Sequence, residues 1–220
     1  KLREIQLVVE RGFEALFSGG DNISDIIRIA LAERHAREFA YQGVMQSTGI
    51  RKRDTINKVI EELIQHGYLL KKRPVILEGG RRSYLSVYSY TDPGIVSYLS
   101  SAVTPDNTAG ARVEGIVHTR LKDIQSGIPL KTQLGYYKPY AIDRSGKLKF
   151  LQGEIDFLFS LGKQIIPVEV KAGNTRSGME LKTLKQFAKA QNIPFGVVFY
   201  GGMPYYSQGE GILYWPYWLI

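Results

Sequence analysis

The stretch "EIDFLFSLGKQIIPVEVKAG", residues 154–173, decides how this chain is read. It contains two apolar, strand-forming runs around "SLGK", a pattern that predicts two strands joined by a tight turn. Each run carries charge among its apolar residues: Asp156 in the first, Glu169 and Lys171 in the second. Strand side chains alternate between faces. The alternation sends Ile155, Phe157 and Phe159 one way and Glu154, Asp156 and Leu158 the other. In the second run it sets Val168 and Val170 opposite Pro167, Glu169 and Lys171. In an antiparallel hairpin Asp156 and Glu169 then lie near one another on one face. A slip of one residue would exchange the faces, so the register is strongly constrained.

Two neighbouring carboxylates repel, and at least one pKa rises unless a cation intervenes. Oxygen ligands so placed suit a hard divalent ion, Mg²⁺ or Mn²⁺. Lys171 projects beside them, where an ammonium can hold a water or a phosphate oxygen. Such a set suits metal-assisted hydrolysis of a phosphodiester. These residues alone leave a second account open: Asp, Glu and Lys on the solvent face of a hairpin, forming a surface ion pair worth about 0–1 kcal/mol.

The rest of the chain narrows the setting. Its 220 residues suit one large domain or two small ones. There are no cysteines, which excludes disulfides and thiolate zinc sites. His35, His66 and His118 are scattered without metal-ligand spacing. No apolar run approaches the roughly 20 residues of a membrane span, and no signal peptide is evident. The expectation is a soluble cytoplasmic protein. The net charge is +8. Nine Lys or Arg face four acids between Arg51 and Arg82, which makes that stretch the first candidate for phosphate contact.

The first hundred residues read as helices followed by a β-ribbon. In "ISDIIRIALAERHA" Ile23, Ile26, Ile27, Ala30 and Leu31 recur at helical spacing. "YQGVMQSTGI" is a short helix ending at a Gly turn. "RKRDTINKVIEELIQHGY" carries a stripe of Ile56, Val59, Ile60, Leu63 and Ile64, with Gly67 as a left-handed stop. "YLLKKRPVI" and "RRSYLSVYSY" are strand-like runs separated by "LEGG". This order predicts a winged helix-turn-helix over residues 1–100. Arg51, Lys52, Arg53 and Lys58 then lie on the recognition helix, and Arg81 and Arg82 on the wing, as candidate nucleic-acid contacts. Three cations at a helix start oppose its dipole, and a bound anion would offset that cost. Any three-helix unit would show similar stripes, and such units also pack only against protein.

A Pro-, Asn- and Thr-rich linker marks the boundary, and a second domain is expected over 105–220. "AGARVEGIVHTRLKDIQSG" reads as a helix, with Val113, Ile116, Val117 and Leu121 on one face. Strand-like runs follow in "LGYYKPYA", "KLKFLQGEIDFLFSL" and "QIIPVEVKA". A helix in "GMELKTLKQFAKAQN", a strand in "PFGVVFYG" and the aromatic tail "GILYWPYWLI" complete an α/β layout with a mixed sheet. Tyr136, Tyr137, Tyr140, Tyr205 and Tyr206 could stack on bases, but sheet edges and core are their commoner use. His118, four residues after Glu114, is expected to be a partly buried, hydrogen-bonded histidine.

"GEIDFLF…IIPVEVKAG" resembles the core motif of the PD-(D/E)XK nuclease superfamily, an acid on one strand and Glu-x-Lys on the next. The resemblance implies catalytic roles for Asp156, Glu169 and Lys171, with Glu114 on the preceding helix as a further acid. It implies a divalent metal, Mg²⁺ or Mn²⁺, on Asp156, Glu169 and Glu114. Gln186 matches weakly the polar residue that some relatives carry on the following helix. The wider layout, with "LREIQLVVERGFEALFSG", "TDPGIVSYL" and "GARVEGIVHTRL", resembles the C-terminal half of a group of prokaryotic AAA-type ATPases. There a P-loop module precedes a winged helix and a nuclease-like domain. No G-x-x-x-x-G-K-[ST] occurs here, so no nucleotide site is expected in this chain, and the start at Lys1 suggests a piece of a longer protein. The expected function is a metal-dependent nuclease-like module acting on DNA, with the ATPase module upstream. The alternatives are an inactive nuclease-fold module used for DNA binding or regulation, and a winged-helix regulator. No membrane partner is expected; a homo-oligomer remains open, since the aromatic tail would be a partner surface if exposed.

Overall fold

The computed structural model describes residues 22–75, 86–99, 109–142, 148–150 and 153–220. Arg81 and Arg82 and the stretches 1–21 and 100–108 lie outside the described residues. Helix α1, Asn22–Glu33, is followed by strand β1, Arg37–Phe39. Helices α2, Tyr41–Thr48, and α3, Arg53–Gln65, precede β2, Leu69–Lys72, and β3, Ser86–Tyr90. Helix α3 stops where the sequence predicts: Tyr68 N–H bonds Leu63 O at 2.9 Å, Gly67 N–H bonds Ile64 O at 3.0 Å, and Gly67 takes φ 76°. That is the paired C-terminal closure that glycine permits. The strands β2 and β3 pair antiparallel, Leu69 opposite Tyr90. Strand β1, which the sequence reading did not anticipate, pairs on the other side of β3.

Ile27, Leu31, Val44, Ile56, Leu63 and Tyr90 form the centre of this unit's core. The expected stripe on α1 is only half right. Ile27, Ala30 and Leu31 are buried, whereas Ile23 and Ile26 are 45% and 42% exposed. Helix α4, Pro93–Leu99, adds Ile95 and Val96 to the same core.

Helix α5, Ala109–Gly127, opens the second unit. Its strands are β4, Thr132–Tyr137; β5, Tyr140–Ile142; β6, Leu148–Phe150; β7, Ile155–Leu161; and β8, Gln164–Val170. Helix α6, Lys182–Ala190, leads to β9, Gly196–Tyr200; β10, Tyr205–Ser207; and β11, Ile212–Pro216, with a final 3₁₀ turn at Tyr217–Leu219. Six of the strands form one mixed sheet in the order β10-β11-β9-β8-β7-β4, and β5 and β6 pair separately. The pairs β8–β9 and β9–β11 are parallel, and β7–β8 is antiparallel. Parallel neighbours need a crossover, and α6 supplies it between β8 and β9.

The sheet is covered on both faces. Phe157, Phe159, Val168, Val170 and Phe199 pack against Val117 and Leu121 of α5. Leu158 packs against Phe187 of α6, and Leu184 of the same helix packs with Val198, Tyr200 and Ile212. Fully burying a phenylalanine such as Phe157 contributes about 1.5–3 kcal/mol, so "FLF" is a structural run on both faces. Each unit has its own core, yet the backbones join. Chain leaving β2 runs beside β4: Tyr136 N–H bonds Arg73 O at 3.0 Å, and Val75 N–H bonds Tyr136 O at 2.8 Å. Gly135 makes that approach possible, since a Cβ there would stand 2.6 Å from Arg73 O.

Candidate active site

The tight turn falls on Gly162 and Lys163, with Leu161 opposite Gln164 and Phe157 opposite Val168. This register carries Asp156 to the place across from Glu169. One feature escapes the alternation rule. Between β4 and β7 the pairing passes from Gly135↔Leu158 to Tyr137↔Ile155, a one-residue shift. Two residues of β7, Asp156 and Phe157, therefore oppose Tyr136 alone. Such a bulge re-aims side chains and takes a carbonyl out of the ladder. Ile155 consequently clusters with Leu158 and Phe187, not with Phe157 and Phe159 as strict alternation predicts.

The four residues named from the sequence meet around this bulge. Asp156 Oδ2 accepts the Val170 N–H at 2.7 Å, so the carboxylate takes over from the backbone at the end of β8. Lys171 Nζ donates to Glu169 Oε1 at 2.7 Å. Glu169 Oε2 is buried and has no hydrogen-bond partner among the described residues. Glu114, on α5, is held by a residue that sequence reasoning did not single out. Lys72, the last residue of β2, donates from Nζ to Glu114 Oε1 at 2.6 Å and to the Asp156 carbonyl at 2.8 Å. The lysine side chain is 0% exposed, and its ammonium lies 4.1 Å from the centroid of the Phe157 ring.

Burial dominates the electrostatics. It pushes the Glu169 carboxyl up to about 8, with the neighbouring Asp156 charge adding to the rise and Lys171 opposing it. Burial likewise pushes Glu114 up to about 7, even though Lys72 pulls it down. Asp156 and Glu154 are raised, again chiefly by burial and against Lys72. Burial lowers Lys171, but the Glu169 carboxylate and hydrogen bond outweigh it, and the net shift is upward. His118 is 1% exposed and packs against Phe157; burial, then Lys72, hold it well below the ordinary histidine range. Its Nδ1 has no partner among the described residues, so the expected hydrogen-bonded histidine is buried more completely and bonded less.

The nearer metal fit is a pair of acids. Among the described residues no group of three or more His, Asp or Glu side chains is set to hold a metal ion. Glu114, expected as a third ligand, is turned to Lys72. Asp156 and Glu169 remain, and the orphaned Glu169 Oε2 is the donor that a hard cation would satisfy. Gln186 is exposed on α6. Two concavities of about 400 and about 360 Å³ flank α6, and neither is lined by Asp156, Glu169 or Lys171.

The basic candidates divide. Arg51, Lys52, Arg53 and Lys58 are exposed at and beside the start of α3, and the Arg53 guanidinium lies 4.0 Å from the centroid of the Tyr41 ring. Lys52 caps α3 with an extended backbone and no side-chain bond, which leaves the helix start without a capping oxygen from that residue. Lys72, counted in the same basic run, is inside. Nothing in "YLLKKRPVI" separates it from Lys71, because its burial depends on where the following residues pair. Tyr136 is buried, while Tyr205 and Tyr206 are 45% and 53% exposed. No described helix is long and apolar enough to cross a membrane.

Comparison with known proteins gives one match. No curated protein and no solved structure matches the chain. A family profile covers residues 109–220, from the start of α5 to the last residue, and so takes in Glu114, Asp156, Glu169 and Lys171. The chain belongs to the family described as "Domain of unknown function (DUF4143)", a domain found at the C-termini of AAA ATPase-like proteins.

Proposed function

We propose that the second unit is a divalent-metal-dependent nuclease-like module of the PD-(D/E)XK type, acting on DNA that the first unit, as a winged helix, helps to hold. The observation that carries this reading is the buried, unpartnered Glu169 Oε2 beside Asp156, with Lys171 on the other carboxylate oxygen. A Mg²⁺ or Mn²⁺ ion on this pair would supply Lewis-acid polarisation of a phosphate and an acidified water. Asp156 and Glu169 would hold the ion as carboxylates, Glu169 through Oε2. Lys171 is placed to meet charge developing on a phosphate oxygen. Asp156 also fixes the end of β8 through Val170, so the ligand and the strand that carries its partner are held as one piece. The exposed cluster Arg51, Lys52 and Arg53 fits sequence-independent phosphate contact, and an anion there would offset the repulsion between these cations and the helix start. The chain as a whole reads as the C-terminal part of an AAA-type ATPase.

The second reading is a nuclease-fold module that binds or regulates without cleaving. The Lys72–Glu114 pair favours it, because it already neutralises one of the acids. The deciding experiment is Mn²⁺ calorimetry with parallel cleavage of supercoiled, linear and single-stranded DNA. The expected result is Mn²⁺ binding and cleavage in the wild type and loss of both in Glu169→Ala and Asp156→Ala. Mn²⁺ binding without cleavage would leave the non-catalytic reading. No binding by folded wild-type protein would overturn the metal site.

A further inference from the structure

We propose that Lys72 is the built-in second cation of this acidic site, standing where a second divalent ion would otherwise be drawn by Glu114. The inference rests on the reading of Asp156 and Glu169 as the metal pair. Its warrant is the ligand set around the ammonium: one carboxylate oxygen at 2.6 Å and one main-chain carbonyl at 2.8 Å, from two different elements. A carboxylate with a backbone carbonyl is the donor combination that hard divalent cations take. The ammonium has three N–H groups. Two are spent on Glu114 and Asp156, and the third side of the group faces the Phe157 ring at 4.1 Å.

The carbonyl in question belongs to the bulged residue, whose ladder partner is missing, so Lys72 repairs a defect as well as neutralising an acid. A free lysine would leave such a place for water. This one is held by the strand that continues from it, where Arg73 O and Val75 N bond Tyr136. The ammonium already fills the place between Glu114 Oε1 and the Asp156 carbonyl, and a second divalent ion could not take those two oxygens while it is there. The site therefore takes one divalent ion per chain, with the second positive charge supplied by the first unit.

The test is the number and affinity of Mn²⁺ ions per chain, read by electron paramagnetic resonance of free Mn²⁺ on the full chain. Wild type is expected to bind one ion. Glu114→Gln is expected to bind one ion with its Kd changed by less than about threefold, since Glu114 is not a ligand. Lys72→Met, checked for a cooperative urea transition, is expected to bind a second ion, and Lys72→Met/Glu114→Gln to return to one. A loss of more than about tenfold in Glu114→Gln overturns the inference, because it makes Glu114 a ligand of the first ion. So does a folded Lys72→Met that still binds one. If Lys72→Met does not fold, the Glu114→Gln affinity decides. Wild-type protein that binds no Mn²⁺ overturns the metal reading itself, which separates the two failures.

Discussion

Replacing Lys72 with methionine keeps most of the side chain's volume and removes its charge, which isolates the electrostatic role of the residue. Lys72 is fully buried and Glu114 is 17% exposed at its side chain, so the pair is desolvated on one side and grazed by water on the other. Breaking a buried ion pair by removing one member costs about 3–5 kcal/mol, and the water-facing edge of Glu114 places the expected loss near the lower bound. The loss has a pH signature. Glu114 is raised to about 7 with Lys72 in place, and without it the carboxyl rises further. A raised acid stabilises the fold fully below its unfolded pKa, and the stabilisation is lost as pH rises towards the folded value. At pH 7 the wild type is halfway through this titration and by pH 8 it has nearly finished, whereas Lys72→Met, with its carboxyl raised further, is still losing the contribution. The penalty of the variant should therefore grow by up to about 1 kcal/mol between pH 7 and pH 8. Urea unfolding at both pH values, on wild type, Lys72→Met, Glu114→Gln and the double variant, measures it. The expected coupling in that cycle is about 2–3 kcal/mol, the double variant being less damaged than the sum of the singles. Coupling below about 0.5 kcal/mol, or a penalty unchanged between the two pH values, would refute the argument.

Two further outcomes follow from the neighbouring packing. In Gly115→Ala the new Cβ would stand 2.4 Å from His35 Nε2, whose ring is held by the Tyr90 N–H at 3.1 Å; overpacking of about 1–3 kcal/mol should exceed the roughly 1 kcal/mol that alanine gains over glycine in a helix, and a urea midpoint above wild type would contradict it. Burial lowers His35 from 6.5 to about 4, so the folded state resists a proton that the unfolded state takes; stability should fall as pH drops from 6.5 towards 4, by up to about 3 kcal/mol, and His35→Asn should remove that part of the acid slope, with an unchanged slope counting against it.

How much of this was legible in the residues differs from element to element. The hairpin at 154–171 was readable because its charges mark one face and its turn is two residues long. Helices α3 and α5 were readable because their apolar spacing is regular and α3 ends in glycine. The sheet edge was not. The bulge at Asp156 arises from pairing with β4, a strand about twenty residues away, and no local pattern encodes it. Strand β1 is three residues long, too short for a period to show. The exposed Ile23 and Ile26 show the limit of a stripe: helical spacing gives a face, and the neighbours decide which part of it is covered. Lys72 was hidden most completely, since a lysine in "LKKR" is read as solvent or phosphate contact until the fold brings Tyr136 beside Arg73 and Val75.

The family match begins at residue 109, and the cation that holds Glu114 and the Asp156 carbonyl comes from residue 72. Glu114, Asp156, Glu169 and Lys171 thus all lie within the matched segment, while a cation that balances them does not. Glu114, Asp156, Glu154 and Glu169 are all raised by burial, and Lys72 opposes the shift directly in the first three. A chain with those four acids opposed only by Lys171 and, at Glu154, by Lys138 would have to protonate or draw in another cation to fold around them. The strand pairing at Tyr136, the glycine at 135 and the Glu38–Lys138 ion pair at 2.9 Å all serve to bring the first unit to that place. The two units are therefore better regarded as sharing one acidic site than as two bodies each balanced by itself. A change that lifts β2 from β4 should be felt at Asp156 before any residue of the motif itself is altered.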